Sequence, residues 1–353
     1  MSRLLNPRRF LLLCASLTFL SPALRAQEGG PFAAEEVAIK TNGYTLAGTL
    51  LLPRKAPLPA PAVVMITGSG QQTRDSQIPM PGLEGYRPFK QIAEHLAARG
   101  IAVLRVDDRG VGGSTGKETL ESATTSGFAD DTRAQIAFLR GRREIDPDRI
   151  ALVGHSEGGS IALMVASSDP RVRCVVLMGA MGKTGLEVNL EQQEYALSQA
   201  PGFTEERKAQ LREQQRQILR AVVEGGDVSA MPADFRRFLP WFKEFLTFDP
   251  LPLVRRLQQP VLILQGGLDR QITPEHASLL ERAARGGGNR DVQSRVFPRL
   301  NHLFLLAETG AWSEYSSLVT TSLSDDVLDT LGGWLTPRLQ RGKKKLNGAE
   351  RAG

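Results

Sequence analysis

The stretch Asp148-Arg149-Ile150-Ala151-Leu152-Val153-Gly154-His155-Ser156-Glu157-Gly158-Gly159-Ser160-Ile161-Ala162-Leu163 decides how this chain folds. Ile150 to Val153 is a short apolar run without a polar face, the pattern of a strand buried on both sides. It runs straight into Gly154-His155-Ser156-Glu157-Gly158, and the small residues that follow suit a helix packed closely on the strand. A serine presented on so sharp a strand-to-helix turn needs neighbours without bulk, and Gly154 and Gly158 provide them.

A second G-x-S-x-G match exists, Gly112-Gly113-Ser114-Thr115-Gly116. The pattern alone is weak in a chain with 35 glycines among 353 residues. Context separates the two. Asp107-Asp108-Arg109-Gly110-Val111 stands between Ser114 and its strand, and Lys117-Glu118 follow it where a helix should begin. Ser114 therefore reads as part of a glycine-rich loop, and Ser156 as the nucleophile.

A serine hydroxyl needs a base to take its proton. The chain has four histidines. His95 falls inside a helical pattern far from any strand end. His155 adjoins Ser156 and is badly placed to swing back onto it. His276 follows Pro274-Glu275 at a helix start, where solvation or capping is expected. His302 remains, in a loop just after the strand-like run 292–297. The orienting carboxylate should leave the preceding strand, and Asp269 ends Gln265-Gly266-Gly267-Leu268-Asp269. The order Ser156, Asp269, His302 is the one this kind of elbow uses.

Outward from the elbow, strands and helices alternate. Apolar runs at 62–67, 101–106, 149–153, 172–178 and 260–265 are separated by helical patterns at 86–99, 130–140 and 160–167. Such alternation predicts a mostly parallel central sheet with helices on both faces. Segments 36–41 and 44–53 flank Asn42-Gly43, a type I′ turn signal, so a hairpin is expected to open the fold. Residues 182–249 hold no strand-like run. Thr204 with Glu205-Glu206 reads as a helix start, and Leu211, Ile218, Leu219 and Val222 follow at helical spacing. The dense aromatics Trp241, Phe242 and Phe245 follow in turn. This segment is expected to form a helical cap with an apolar, substrate-facing lining, inserted into a discontinuous core of 27–181 and 250–340.

At this point the chain resembles the α/β-hydrolase superfamily, and within it the bacterial esterase and serine-aminopeptidase-like group. The resemblance covers residues 36–340. It is carried by Thr67-Gly68-Ser69-Gly70 with Arg74-Asp75, by Asp107-Asp108-Arg109-Gly110-Val111-Gly112-Gly113-Ser114, by 154–158 and 266–269, and by Asn301-His302-Leu303-Phe304. Trp241-Phe242, Phe245-Leu246 and Asp249-Pro250 fit the same group. One departure is Thr67, where the family usually has a histidine. The resemblance implies an oxyanion hole of two main-chain N–H groups, one from Glu157 and the other from the loop after the third strand, at Ser69. It implies a small-molecule acyl substrate, and neither a cofactor nor a metal.

The formal charge is +6, with 44 basic and 38 acidic side chains. A basic balance invites a nucleic-acid or membrane-surface reading. Yet residues 27–340 carry 35 bases and 37 acids, a balance of −2. The excess sits at the two ends, so no basic face for nucleic acid is expected. Arg3, Arg8 and Arg9 precede the run Phe10 to Leu20, then Ser21-Pro22 and small residues, which is the layout of a secretory signal peptide over 1–26. Cleavage fits after Ala23 or after Ala26. Eleven residues are too few for a bilayer, which needs about 20, so an exported protein, periplasmic or secreted, without a stable membrane anchor is expected. Cys14 lies inside the apolar run rather than at a lipoprotein site, and Cys174 reads as a core residue, so no disulfide is expected. Residues 341–353 read as a solvated basic tail.

The function expected is ester hydrolysis through an acyl-enzyme. An aminopeptidase, amidase or thioesterase on the same fold is the alternative; a peptidase needs an acid for the substrate ammonium, with Glu187, Glu191 and Glu194 as candidates. Dehalogenase and epoxide-hydrolase chemistry needs Asp where Ser156 stands. A non-catalytic binding protein on this fold is the rival of another class.

Overall fold

A computed structural model describes residues 30–340, apart from 79, 118–120 and 319–320. The predicted signal peptide and basic tail lie outside the described residues. Strands β1 (Phe32–Lys40) and β2 (Thr45–Pro53) form the opening hairpin. Its turn is not type I′: Gly43 is left-handed (φ 104°) but Asn42 is not. Thr41 closes the turn instead, its N–H and its Oγ1 both donating to the Tyr44 carbonyl at 2.9 Å.

Six further strands follow: β3 (Ala60–Ile66), β4 (Ala102–Val106), β5 (Ile145–His155), β6 (Val172–Met178), β7 (Val261–Gly266) and β8 (Val292–Phe297). The sheet order is β1-β2-β4-β3-β5-β6-β7-β8. β1 and β2 run antiparallel, and β3 to β8 are parallel. Helices α1 (Pro88–Ala98) and α10 (Asp325–Leu339) cover one face, while α2 (Thr125–Arg140), α3 (Glu157–Ser168), α8 (Leu251–Arg256) and α9 (Pro274–Gly286) cover the other. Alternate residues of one strand enter opposite cores. Ile150 and Leu152 pack with α2 and α3, whereas Ala151 and Val153 face the α1 and α10 side. That is why the run in β5 has no polar face, and each leucine so buried contributes about 1.5–3 kcal/mol. Cys174 is fully buried in the second of these cores.

Helix α2 begins at Thr125, earlier than the sequence pattern places it. Thr124 is the reason: its Oγ1 accepts the Gly127 N–H at 3.1 Å and starts the helix ahead of the first apolar repeat.

Between β6 and α8 come α4 (Gly185–Ser198), α5 (Glu205–Glu224), the single turn α6 (Ala233–Arg236) and α7 (Leu239–Thr247). They bury a small cluster of their own, with Leu219, Val222, Met231, Phe242 and Leu246 at its centre. Thr184 and Glu187 form a capping box at the start of α4. Thr204 caps α5, its Oγ1 accepting the Arg207 N–H at 3.2 Å. Among the described residues no helix is long and apolar enough to cross a membrane.

Strand register brings the carboxyl ends of the central strands to one edge. Ile66 pairs with Gly154, His155 with Met178, and Met178 with Leu264. The loops starting at Thr67, Ser156, Gly179 and Gly267 therefore leave the sheet together, where open α/β sheets place their ligands.

Candidate active site

Ser156 sits at the tip of the β5–α3 turn with φ 56° and ψ −123°. A non-glycine residue in that region carries strain of about 1–3 kcal/mol, held by its surroundings. The holding contacts are explicit. The Ser156 N–H donates to the Met178 carbonyl at 2.8 Å. A Cβ on Gly154 would lie 2.1 Å from the Gly158 carbonyl oxygen, and one on Gly158 would lie 2.3 Å from that of Ile66. Only glycine fits at either position.

Asp269 and His302 meet beside this turn. His302 Nδ1 donates to Asp269 Oδ2 at 2.8 Å, with Asp269 fully buried and His302 nearly so. Asp269 Oδ2 also accepts from Gln265 Nε2 at 2.9 Å, and Oδ1 accepts the N–H groups of Gln271 and Ile272 at 2.9 and 2.8 Å. With Nδ1 committed to the carboxylate, Nε2 of His302 is the ring nitrogen left to accept a proton. The loop carrying His302 is pinned by Asn301, whose Oδ1 accepts the N–H groups of Leu303 and Leu305 at 2.9 and 3.1 Å. Gly179 (φ 55°) passes beneath, and a Cβ there would sit 3.3 Å from His302 Nδ1.

His155 belongs to this support. Its Nε2–H donates to the His302 carbonyl at 2.9 Å, and its ring lies 4.7 Å from the His302 ring. Burial, aided by the neighbouring His302, pushes its pKa down to about 4, so it stays neutral. His276 is a correction to the sequence reading. It is fully buried, not solvated: its Nδ1 accepts the Gly182 N–H at 2.9 Å and its Nε2 donates to Glu191 at 3.0 Å. It joins α9 to the β6–α4 connection. His95 lies on α1, 3.9 Å from Asp329.

Gly68 brings the loop after β3 against Ser156, since a Cβ on it would come within 3.0 Å of Ser156 Cβ. This loop is clamped by Asp108, a residue to which sequence reasoning gave no role. Thr67 Oγ1 donates to Asp108 Oδ1 and the Gln72 N–H to Oδ2, each at 2.9 Å. Thr67 stands where the family usually has histidine, and it ties the loop down by this bond. Withdrawal from water pushes the Asp108 carboxyl up to about 7, against the pull of those two donors. Glu157, only 3% exposed, accepts from Thr125 Oγ1 at 2.6 Å and from Trp241 Nε1 at 2.9 Å. Burial raises its pKa.

A pocket of about 460 Å³ opens over Ser156 and His302. Trp241, Phe242 and Phe245 line one side and Ile78, Phe89 and Ile92 another, with Ser69 at the rim of the turn. No Asp, Glu, Lys or Arg is among the described residues that line it. The acids weighed for an ammonium lie elsewhere: Glu187 caps α4, Glu191 bonds His276 and Lys183, and Glu194 pairs with Arg212. Ser114 is not part of this site. It is buried in its loop, its Oγ accepting the Ala47 N–H at 2.9 Å and donating to the Asp107 carbonyl at 2.8 Å.

Comparison with known proteins fits this geometry. The chain is similar to esterase EstD of Thermotoga maritima, 26% identical over 308 residues that cover 86% of this chain and 68% of that protein. It is 35% identical over 145 residues to the thiohydrolase apmlB of Arthrinium phaeospermum, a match covering 40% of this chain and 41% of the relative. The fold is similar to that of the Pyrococcus furiosus esterase Pf2001, with a TM-score of 0.55 at 16% identity over 87% of this chain and 91% of that one. The sequence profile described as the alpha/beta hydrolase family matches residues 63–312. That match spans well over half the chain, and with the sheet order and the glycine-flanked turn at Ser156 it makes this protein a member of the alpha/beta hydrolase family.

Proposed function

We propose that the protein is an exported serine esterase for neutral, largely apolar carboxylic esters. The observation that carries this reading is the Asp269–His302 hydrogen bond beside a serine held at φ 56° under an apolar pocket. His302 Nε2 takes the Ser156 proton as Oγ attacks the ester carbonyl carbon. Asp269 keeps the imidazole in the Nδ1–H tautomer and stabilises the imidazolium. The N–H groups of Glu157 and Ser69 receive the oxyanion. His302 returns the proton to the leaving alcohol, then activates the water that releases the acyl group. Helices α4 to α7 act as the cap, with Trp241, Phe242 and Phe245 against the substrate. Export rests on the pattern of residues 1–26.

The absence of a charged residue among the described lining disfavours an aminopeptidase, whose substrate ammonium would find no carboxylate. Thioesters form the second class, favoured by the likeness to a thiohydrolase. A panel of p-nitrophenyl esters, acyl thioesters and aminoacyl anilides tests the reading. Turnover is expected with esters of medium acyl chains and none with the anilides. Faster cleavage of the anilides would refute it.

A further inference from the structure

The main-chain N–H of Glu157 has a place in the proposed mechanism, but its buried carboxyl does not. We propose that the Glu157 side chain is a positioning residue, coupling the seating of helix α7 to the geometry of the oxyanion hole. This deepens the serine-hydrolase reading and rests on it.

Two donors from two parts of the molecule meet on this one carboxyl. Thr125 Oγ1 comes from the start of α2 and Trp241 Nε1 from α7. Thr125 is 32 residues away in sequence and Trp241 is 84. Ser69 and Glu157 are the two residues whose N–H groups would face the oxyanion. The carboxyl therefore ties the residue that supplies one of these donors, Glu157 itself, to a side chain of the cap. Helix α7 has a second tie at the same place: Glu244 accepts the Ser126 N–H at 3.0 Å. Trp241 and Glu244 lie three apart on the helix, hence on one face, and that face docks on the first turn of α2.

Lifting α7 breaks both ties. A buried carboxyl that loses a donor has to find another, and the Glu157 side chain must turn to reach one. Oxyanion donors act only when aimed within a few tenths of an ångström, so a small shift of the Glu157 main chain reads out as lost turnover. Trp241 lines the pocket as well. A substrate packed on the indole thus favours the seated helix and the ordered oxyanion hole together.

A double-mutant cycle on the full chain tests this, with p-nitrophenyl acetate, whose acyl group is too small to fill the pocket. Trp241→Phe keeps the ring and removes the N–H; it should lower kcat about tenfold with KM little changed. Glu157→Ala should lower kcat by at least as much. The double variant should be no slower than Glu157→Ala within about twofold, because the two changes cut one linkage. Glu157→Gln should recover most of what Glu157→Ala loses, since its amide oxygen still accepts from Thr125 and Trp241. If Glu157→Ala does not fold, Trp241→Phe with Thr125→Val forms the cycle, again with losses that do not multiply. Losses that multiply, or an unchanged kcat in Trp241→Phe, overturn the coupling alone. A wild-type chain without Ser156-dependent turnover overturns the hydrolase reading and the coupling with it.

Discussion

The two G-x-S-x-G segments have the same letters and opposite uses. At 154–158 the glycines permit collision distances between β5, α3 and the end of β3, and Ser156 is left strained at the mouth of a pocket. At 112–116 the backbone curls round Asp107: a Cβ on Gly112 would lie 2.5 Å from Asp107 Oδ2, and the Gly113 N–H donates to that oxygen at 3.0 Å. Ser114 spends its hydroxyl on two main-chain groups. The same Asp107 accepts the Arg74 N–H at 2.7 Å and its neighbour Asp108 clamps the loop at 67–72. One segment presents the proposed nucleophile, while the other is scaffolding for the loop that faces it. Glycine frequency cannot tell them apart, but what each glycine touches does.

Removing the two hydroxyls separates the segments most sharply. Ser156→Ala should cut ester turnover by at least about 10⁴-fold and leave the melting temperature nearly unchanged. Ser114→Ala should keep turnover and lose about 1–3 kcal/mol of stability, because two main-chain partners are left unpaired. Steady-state rates and thermal melts on both variants check this, and a reversed pattern would exchange the assignments.

Adding a methyl group to each segment sharpens the contrast in packing. Gly158→Ala places a Cβ against two carbonyl oxygens, 2.3 and 2.5 Å away. It should cost about 3 kcal/mol or more in urea unfolding. Gly113→Ala meets nothing closer than the Ala47 Cβ at 3.0 Å and should cost about 1 kcal/mol or less. Equal losses would mean that the tight elbow is not what demands glycine.

The smallest effect concerns Asp108. Its carboxyl is raised from 3.8 to about 7, chiefly by burial, with Asp131 and Glu157 adding to it. A carboxyl raised in the folded state binds its proton more tightly there than in the unfolded chain. Its contribution is full below about pH 4 and is lost as the pH climbs to about 7. Asp108→Asn lacks this term. Relative to that variant, the wild type should lose at least about 1 kcal/mol between pH 4 and pH 7, whatever the fixed offset between them. Parallel pH profiles would show that Asp108 titrates normally.

The strand, turn and helix around Ser156 were legible because apolar runs and glycine spacing are local. The candidate base emerged because four histidines allow elimination and because late strand ends are visible in the pattern. What escaped was set by distant partners. Nothing near His276 announces that Gly182 and Glu191 will close over it. Asp108 stood in a quoted motif without a role, since its work depends on Thr67 and Gln72, 41 and 36 residues away. Glu157 read as a backbone donor only. Its side chain gains meaning when α7 brings Trp241 onto it. The start of α2 was missed for a local reason: Thr124 caps it ahead of the apolar repeat.

The central claim, that of two look-alike serines Ser156 alone is the nucleophile, is tested most directly by labelling the folded protein with a fluorophosphonate and mapping the adduct by peptide mass spectrometry. The account predicts one adduct, on the peptide containing Ser156, lost in Ser156→Ala and retained in Ser114→Ala. An adduct on Ser114, or a folded wild type that takes no label, would contradict it.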